Sequence, residues 1–153
     1  MTERADEPRS HRDVAVELFN ATWDLIDRAD RTDADEIDMA LAAMTSRWHW
    51  GQVGGPEETA TGDWQVAHVL SLIGEGSLAV RFARRNLDTA VAEGWTGWRL
   101  ASAHEGMARA SAAAGDAPGR AAHVAAANAA LEAEPDTDER EAIAQQIATV
   151  PEL

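Results

Sequence analysis

Glycine and proline cut this chain into segments whose apolar residues recur at every third or fourth position. The breaks fall at Gly51, Gly54, Gly55 and Pro56, at Gly74 and Gly76, at Gly94, at Gly115 and at Pro135. Between them, no stretch alternates apolar with polar residues in β-branched runs, so the pattern predicts about seven helices and no sheet. Short turns between successive helices favour stacked antiparallel pairs in one all-α domain spanning residues 10–150. Residues 1–9 carry charges and a proline without periodicity and are expected to form a flexible leader.

The helix ends carry their own signals. Ser10 with Asp13 matches an N-terminal capping pattern for the first helix, with Asp in place of the usual Glu or Gln. That helix presents Val14, Ala15, Leu18, Phe19, Trp23, Leu25 and Ile26 over more than half its circumference, an arc wide enough to need two neighbours, one of which could be a second copy of the chain. In the second helix Ile37, Leu41, Met44 and Trp48 share one stripe, and the expectation is that they face the core. Pro56 followed by Glu57 and Glu58 begins the third helix. Its core stripe is Val66, Leu70 and Ile73, and an opposed stripe holds Trp64, His68 and Ser71. Ser77 can cap a fourth helix that buries Ala79, Phe82, Ala83, Leu87 and Ala90 and shows Arg81, Arg84 and Arg85 to solvent. Thr96 can cap a fifth, a sixth starts near Pro118, and Asp136 with Glu139 opens a last helix with the stripe Ile143, Ile147 and Val150.

Composition narrows the function classes. The 27 acidic side chains outnumber the 13 basic ones, giving a formal net charge of -14; such a field repels polyanions, so nucleic acid is not an expected partner. There are no cysteines, which removes disulfides, thiolate metal sites and cysteine nucleophiles. The opening run TERADEPRSHRD lacks the apolar core of a signal peptide, and no apolar stretch reaches membrane-spanning length, so a cytoplasmic chain without membrane contact is expected. The glycine runs GQVGG and GEG lack the lysine or flanking strand of a phosphate loop, and nothing calls for a cofactor.

The third and fourth helices can be laid over the fifth and sixth with Gly74 on Gly115. Val66, Ala67 and Leu70 then meet Met107, Ala108 and Ser111, and with a one-residue insertion Ala79, Phe82 and Leu87 meet Ala121 and the alanines from Ala125 to Ala130. Over residues 56–133 this resembles the tetratricopeptide helical repeat, with Gly74-Glu75 and Gly115-Asp116 at its intra-unit turn; the offset of about forty residues departs from that repeat's usual spacing of about 34. The segments SRWHWGQVGGP, GDWQVAHVLSLIG and AHEGMARASAAAGD are also similar to actinobacterial helical-repeat proteins of unassigned function. GDWQVAHVL is similar to a segment of the DinB-type metal-binding bundles, but the remaining histidine pair of that family is missing, so nothing is carried over.

The repeat resemblance implies a right-handed superhelix whose first helices line a concave groove. In that register Trp64, His68 and Ser71 face the groove beside Glu105, Arg109 and Ala112, with His49 and Trp50 near its edge. The function expected is a non-enzymatic module that binds a peptide or protein partner, with a homodimer through the first helix as a further expectation. Gly106 lies inside the fifth helix at a cost of about 1 kcal/mol relative to alanine; it either lets helices approach or leaves room for a neighbouring tryptophan. The alternative is a metal site, with possible hydrolytic activity, built from His49, His68, His104 and Glu105, since imidazole and carboxylate suit zinc, iron or nickel and facing helices can hold such ligands. No H-x-x-x-H or E-x-x-H pair supports it. His11 and His123 belong to no constellation and are expected at the surface.

Overall fold

A computed structural model describes residues 8–153. The expected leader lies outside the described residues except for its last two positions. Seven helices follow in order: α1 (His11–Ile26), α2 (Asp33–Val53), α3 (Pro56–Leu72), α4 (Gly76–Ala92), α5 (Gly97–Ala113), α6 (Ala117–Leu131) and α7 (Thr137–Ala148), with no strand among the described residues. Each helix packs on its neighbour in the chain. The odd-numbered helices also meet in series, α1 on α3, α3 on α5 and α5 on α7, so they make an inner layer with α2, α4 and α6 outside it. Among the described residues no helix is long and apolar enough to cross a membrane.

Local chemistry sets the ends. Ser10 and Asp13 complete both arms of a capping box on α1, and Thr32 with Asp35 does the same for α2, satisfying donors that an α-helix leaves open. Gly74, Gly94 and Gly115 end α3, α4 and α5 with φ of 83°, 67° and 75°, which lets the next N–H reach back to the carbonyls of Leu70, Ala90 and Ser111. Two boundaries differ from expectation. Gly51 lies inside α2, which runs on to Val53. Ser77 is the second residue of α4 and not its cap, because Gly76 already packs against the backbone of α5's end: a Cβ there would lie 2.4 Å from Ala113 C.

The core is built from small residues and methionines. Ala67, Ala79, Ala83, Ala90, Ala103 and Ala110 are fully buried with Met39, Met107, Val66, Val69 and Leu70 in one cluster. A second cluster of Ala101, Ala127, Leu131, Ile143 and Ile147 fastens α7, so the stripe expected there is the buried one. The Val66 and Leu70 stripe of α3 is also buried, with Ile73 packed against it.

The expected stripe of α2 points outward. Ile37, Leu41 and Trp48 are 62%, 60% and 58% exposed, and Met44 is only half-buried. The buried face lies two residues on, at Met39, Ala43, Ser46 and Trp50. Ala43 and Ser46 allow α1 to come close enough for the Ser46 hydroxyl to donate to Ala15 O at 2.7 Å. Bulk at 37, 41 and 48 does not fit that approach.

Candidate functional site

On the inner layer, α3 brings Trp64 and His68 between α1 and α5. Trp23 of α1 lies against both rings, with centroids 5.7 Å from Trp64 and 5.8 Å from His68. The other side of Trp64 meets Gly106, where a Cβ would stand 3.2 Å from the indole Cδ1. A tryptophan thus occupies the space that the mid-helix glycine leaves.

Behind Trp64 runs a buried polar chain. The indole Nε1 donates to Glu105 Oε2 at 3.2 Å. Arg109 Nε donates to Glu105 Oε1 at 2.8 Å, and its Nη2 donates to Thr149 Oγ1 at 2.8 Å and to Gln146 O at 3.2 Å. Glu105 and Arg109 are 1% and 6% exposed. Burial pushes the Glu105 carboxyl above its usual range, against the pull of Arg109 and the Trp64 bond. His68 is depressed to about 3 by burial and then by the Arg109 charge, so it is neutral at ordinary pH, and its Nδ1 has no hydrogen-bond partner.

Of the expected groove positions, Trp64, Glu105 and Arg109 come together, with His68 packed on Trp64, as an interior network closed by α7. Trp64, Glu105, Arg109 and Ala112 are buried, and they do not form an open rim. Ser71 is half-buried and its hydroxyl donates to Ala67 O in its own helix. The four ligands of the alternative metal site are not brought together. His49 Nδ1 pairs with His11 Nδ1 of α1 at 2.8 Å, His104 stacks on His123 of α6 with their Nδ1 atoms 3.1 Å apart, and Glu105 is held by Arg109. No group of three or more metal-ligating side chains exists among the described residues. His11 is exposed as expected, yet paired, whereas His123 is half-buried, which corrects its expected surface place. Burial lowers both His104 and His123, helped at His104 by His123 and at His123 by Arg84.

The open concavity lies on the outer side of Trp64. A hollow of about 270 Å³ is lined by Trp23, Trp64, Trp95 and Trp98, with Glu57, Arg99 and Gln146 among its polar groups. A second hollow of about 250 Å³ shares Phe19, Glu57 and Thr61 with the first and adds Val16, Trp50 and Glu58. Trp50 thus lines this second hollow beside the first turns of α3, while His49, expected near the same edge, lines neither hollow.

Turn chemistry places the tryptophans. The Gly94 turn delivers Trp95. Gly97 then takes φ of 62°, where a side chain would be strained and would meet Glu134 Oε2 at 2.5 Å. That Glu134 oxygen accepts from Trp98 N at 2.8 Å, serving as a cap for α5 from the far side of α6; the Thr96 side chain makes no such bond. Over the indoles lies Arg99, its guanidinium carbon 5.1 Å from the Trp95 centroid and 5.2 Å from that of Trp98. Arg99 Nη1 also pairs with Glu57 Oε1 at 2.7 Å. Beside the neighbouring hollow, and outside its lining, Arg12 stands 5.2 Å over Trp50 and 3.7 Å from Glu58.

Trp23, Trp95, Trp98, Arg99 and Glu57 were missed as site residues by helical spacing, because they come from one face of α1, a turn and two helix starts. The one available signal is the stretch GWTGW, which puts two of the six tryptophans beside glycines at a helix junction. No family model, curated protein or solved structure matches the chain.

Proposed function

We propose that the chain is a non-catalytic binding module, a divergent tetratricopeptide-like array whose inner face accepts a peptide segment of a partner protein. The observation that carries this reading is the continuous pair of hollows along α3, walled by Trp50, Trp64, Trp95 and Trp98 and joined at Phe19, Glu57 and Thr61. Indole rings supply contact area at low entropic cost, and the polar groups at the rim set orientation. Each hollow is at or below the low end of small-molecule sites, a size suited to one or two side chains of an extended segment.

The repeat likeness is supported by the inner layer of odd-numbered helices and by the paired turns at Gly74-Glu75 and Gly115-Asp116. It is better in the first helix of each pair, where Val66, Ala67 and Leu70 match Met107, Ala108 and Ser111 in burial, than in the second, where Ala79 is buried and Ala121 exposed. The reading is tested with blocked peptides of apolar, acidic and basic character, titrated against the full chain by calorimetry and tryptophan fluorescence. Thr61→Trp, which fills the junction of the hollows, is expected to abolish binding while leaving the circular dichroism melt in place. Equal binding by the Thr61→Trp chain, or no peptide bound at all, overturns the proposal.

A further inference from the structure

If the groove is a peptide site, its own contents indicate the chemistry of the peptide. An arginine of the chain itself lies over tryptophans of each hollow's wall: Arg99, which lines the first hollow, over Trp95 and Trp98, and Arg12, outside the second hollow's lining, over Trp50. Each arginine is held by a glutamate from the first turn of α3, Glu57 or Glu58. The two sites thus share one recognition pattern for a cation: an electron-rich ring face beneath it and a carboxylate beside it.

The internal cations are loosely kept. The side chains of Arg99 and Arg12 are 32% and 55% exposed, and those of Glu57 and Glu58 63% and 32%, so either pair can open at small cost in water. The chain's net charge of -14 would draw a basic segment toward the groove and repel an acidic one.

We propose that the groove binds a partner peptide through two basic side chains, whose ammonium or guanidinium heads take over the indole faces and α3 glutamates now held by Arg99 and Arg12. This rests on the groove being the peptide site, and it assigns the two arginines as placeholders that the guest displaces. The arginines then compete with the ligand, so removing either one strengthens binding. A groove built to hold a carboxylate would behave in the opposite way, since Arg99 would be its anchor.

The experiment uses the full chain, with an N-acetylated, C-amidated trilysine peptide and the same peptide acetylated on each Nε, which keeps the stem and removes the charge. A blocked triglutamate peptide is the third probe. Calorimetry at physiological salt is expected to show trilysine bound at least about tenfold more tightly than the acetylated peptide, the order of one or two cation–π contacts. Arg99→Ala and Arg12→Ala are each expected to tighten trilysine binding several-fold. Arg81→Ala removes the same charge from an exposed position on α4 and should shift it by less than about twofold, which separates displacement from the general field. Equal binding of the charged and acetylated peptides, or weaker trilysine binding by the Arg99→Ala chain, overturns the cation assignment while leaving the groove as a peptide site. Equal tightening by Arg81→Ala overturns the placeholder role. Failure of all three probes and of the apolar peptides to bind overturns both readings.

Discussion

Two arginine–carboxylate pairs flank Trp64, and their closest contacts are equal. Arg109 Nη2 stands 2.7 Å from Glu105 Oε1, and Arg99 Nη1 stands 2.7 Å from Glu57 Oε1. Their surroundings differ completely. The first pair is sealed, with side chains 6% and 0% exposed and every strong contact made inside the fold; the second is at the mouth of the hollow, 32% and 63% exposed. Contact distance therefore says nothing about what each pair is worth. Burial decides, because breaking the inner pair leaves an uncompensated charge away from water, whereas the outer partners are rehydrated at once.

The sharpest way to break this contrast is to remove one carboxylate from each pair. Glu105→Ala is expected to destabilise the chain by about 3–5 kcal/mol, since Arg109 would remain buried with only Thr149 and a backbone carbonyl as partners. Glu57→Ala is expected to change stability by less than about 1 kcal/mol. Urea denaturation of both variants checks the pair, and similar losses would show that the two bridges are equivalent after all. A smaller effect follows on the same indole from Gly106. Gly106→Val should cost about 1–3 kcal/mol by overpacking against Trp64. Gly106→Ala sets a helix-propensity gain of about 1 kcal/mol against a contact already at 3.2 Å and should be close to neutral.

The interior side of Trp64 was more legible in the sequence than the mouth. A glycine at position 106 inside an otherwise regular helix, and a Trp64–His68 stripe opposite the core stripe, are local departures from helical patterning, and they led to the right neighbours. What spacing could not supply was depth: the repeat resemblance implied a groove at Glu105 and Arg109, whereas α7 lies over them and Thr149 completes the network. The helix count, the Ser10 cap and the glycine turns were readable because each depends on a few adjacent residues. The mouth was not, since Glu57, Trp95, Trp98 and Arg99 meet only after three helices have packed.

Protonation gives a graded version of the same contrast. His68 lies on the sealed side and titrates at about 3 in the folded chain, whereas the unfolded chain takes up that proton near the ordinary value of about 6.5. Between those values the unfolded state binds more protons, so stability is lost as pH falls from about 6.5 toward 3, by up to about 1.4 kcal/mol per pH unit. Glu105 works with the opposite sign: its carboxyl is raised by burial, so any stability from its protonated form is lost as pH rises past the usual carboxylate range. Denaturation midpoints taken stepwise in pH should therefore slope downward on acidification in the native chain and flatten in His68→Asn. An unchanged slope in that variant would assign the acid sensitivity to other groups.

The smallest effect belongs to the face farthest from this network, and it tests the phase of α2. Two apolar stripes run along that helix two positions apart, Ile37, Leu41, Met44 and Trp48 on one side and Met39, Ala43, Ser46 and Trp50 on the other. Side-chain size favours the first as core; the close approach of α1 at Ala15 and the bond it accepts from Ser46 favour the second. With Leu41 60% exposed, Leu41→Ser should alter stability by no more than about 0.5 kcal/mol, as is usual for surface positions. A loss of 2 kcal/mol or more, the range of buried leucines, would show that this stripe is covered in solution.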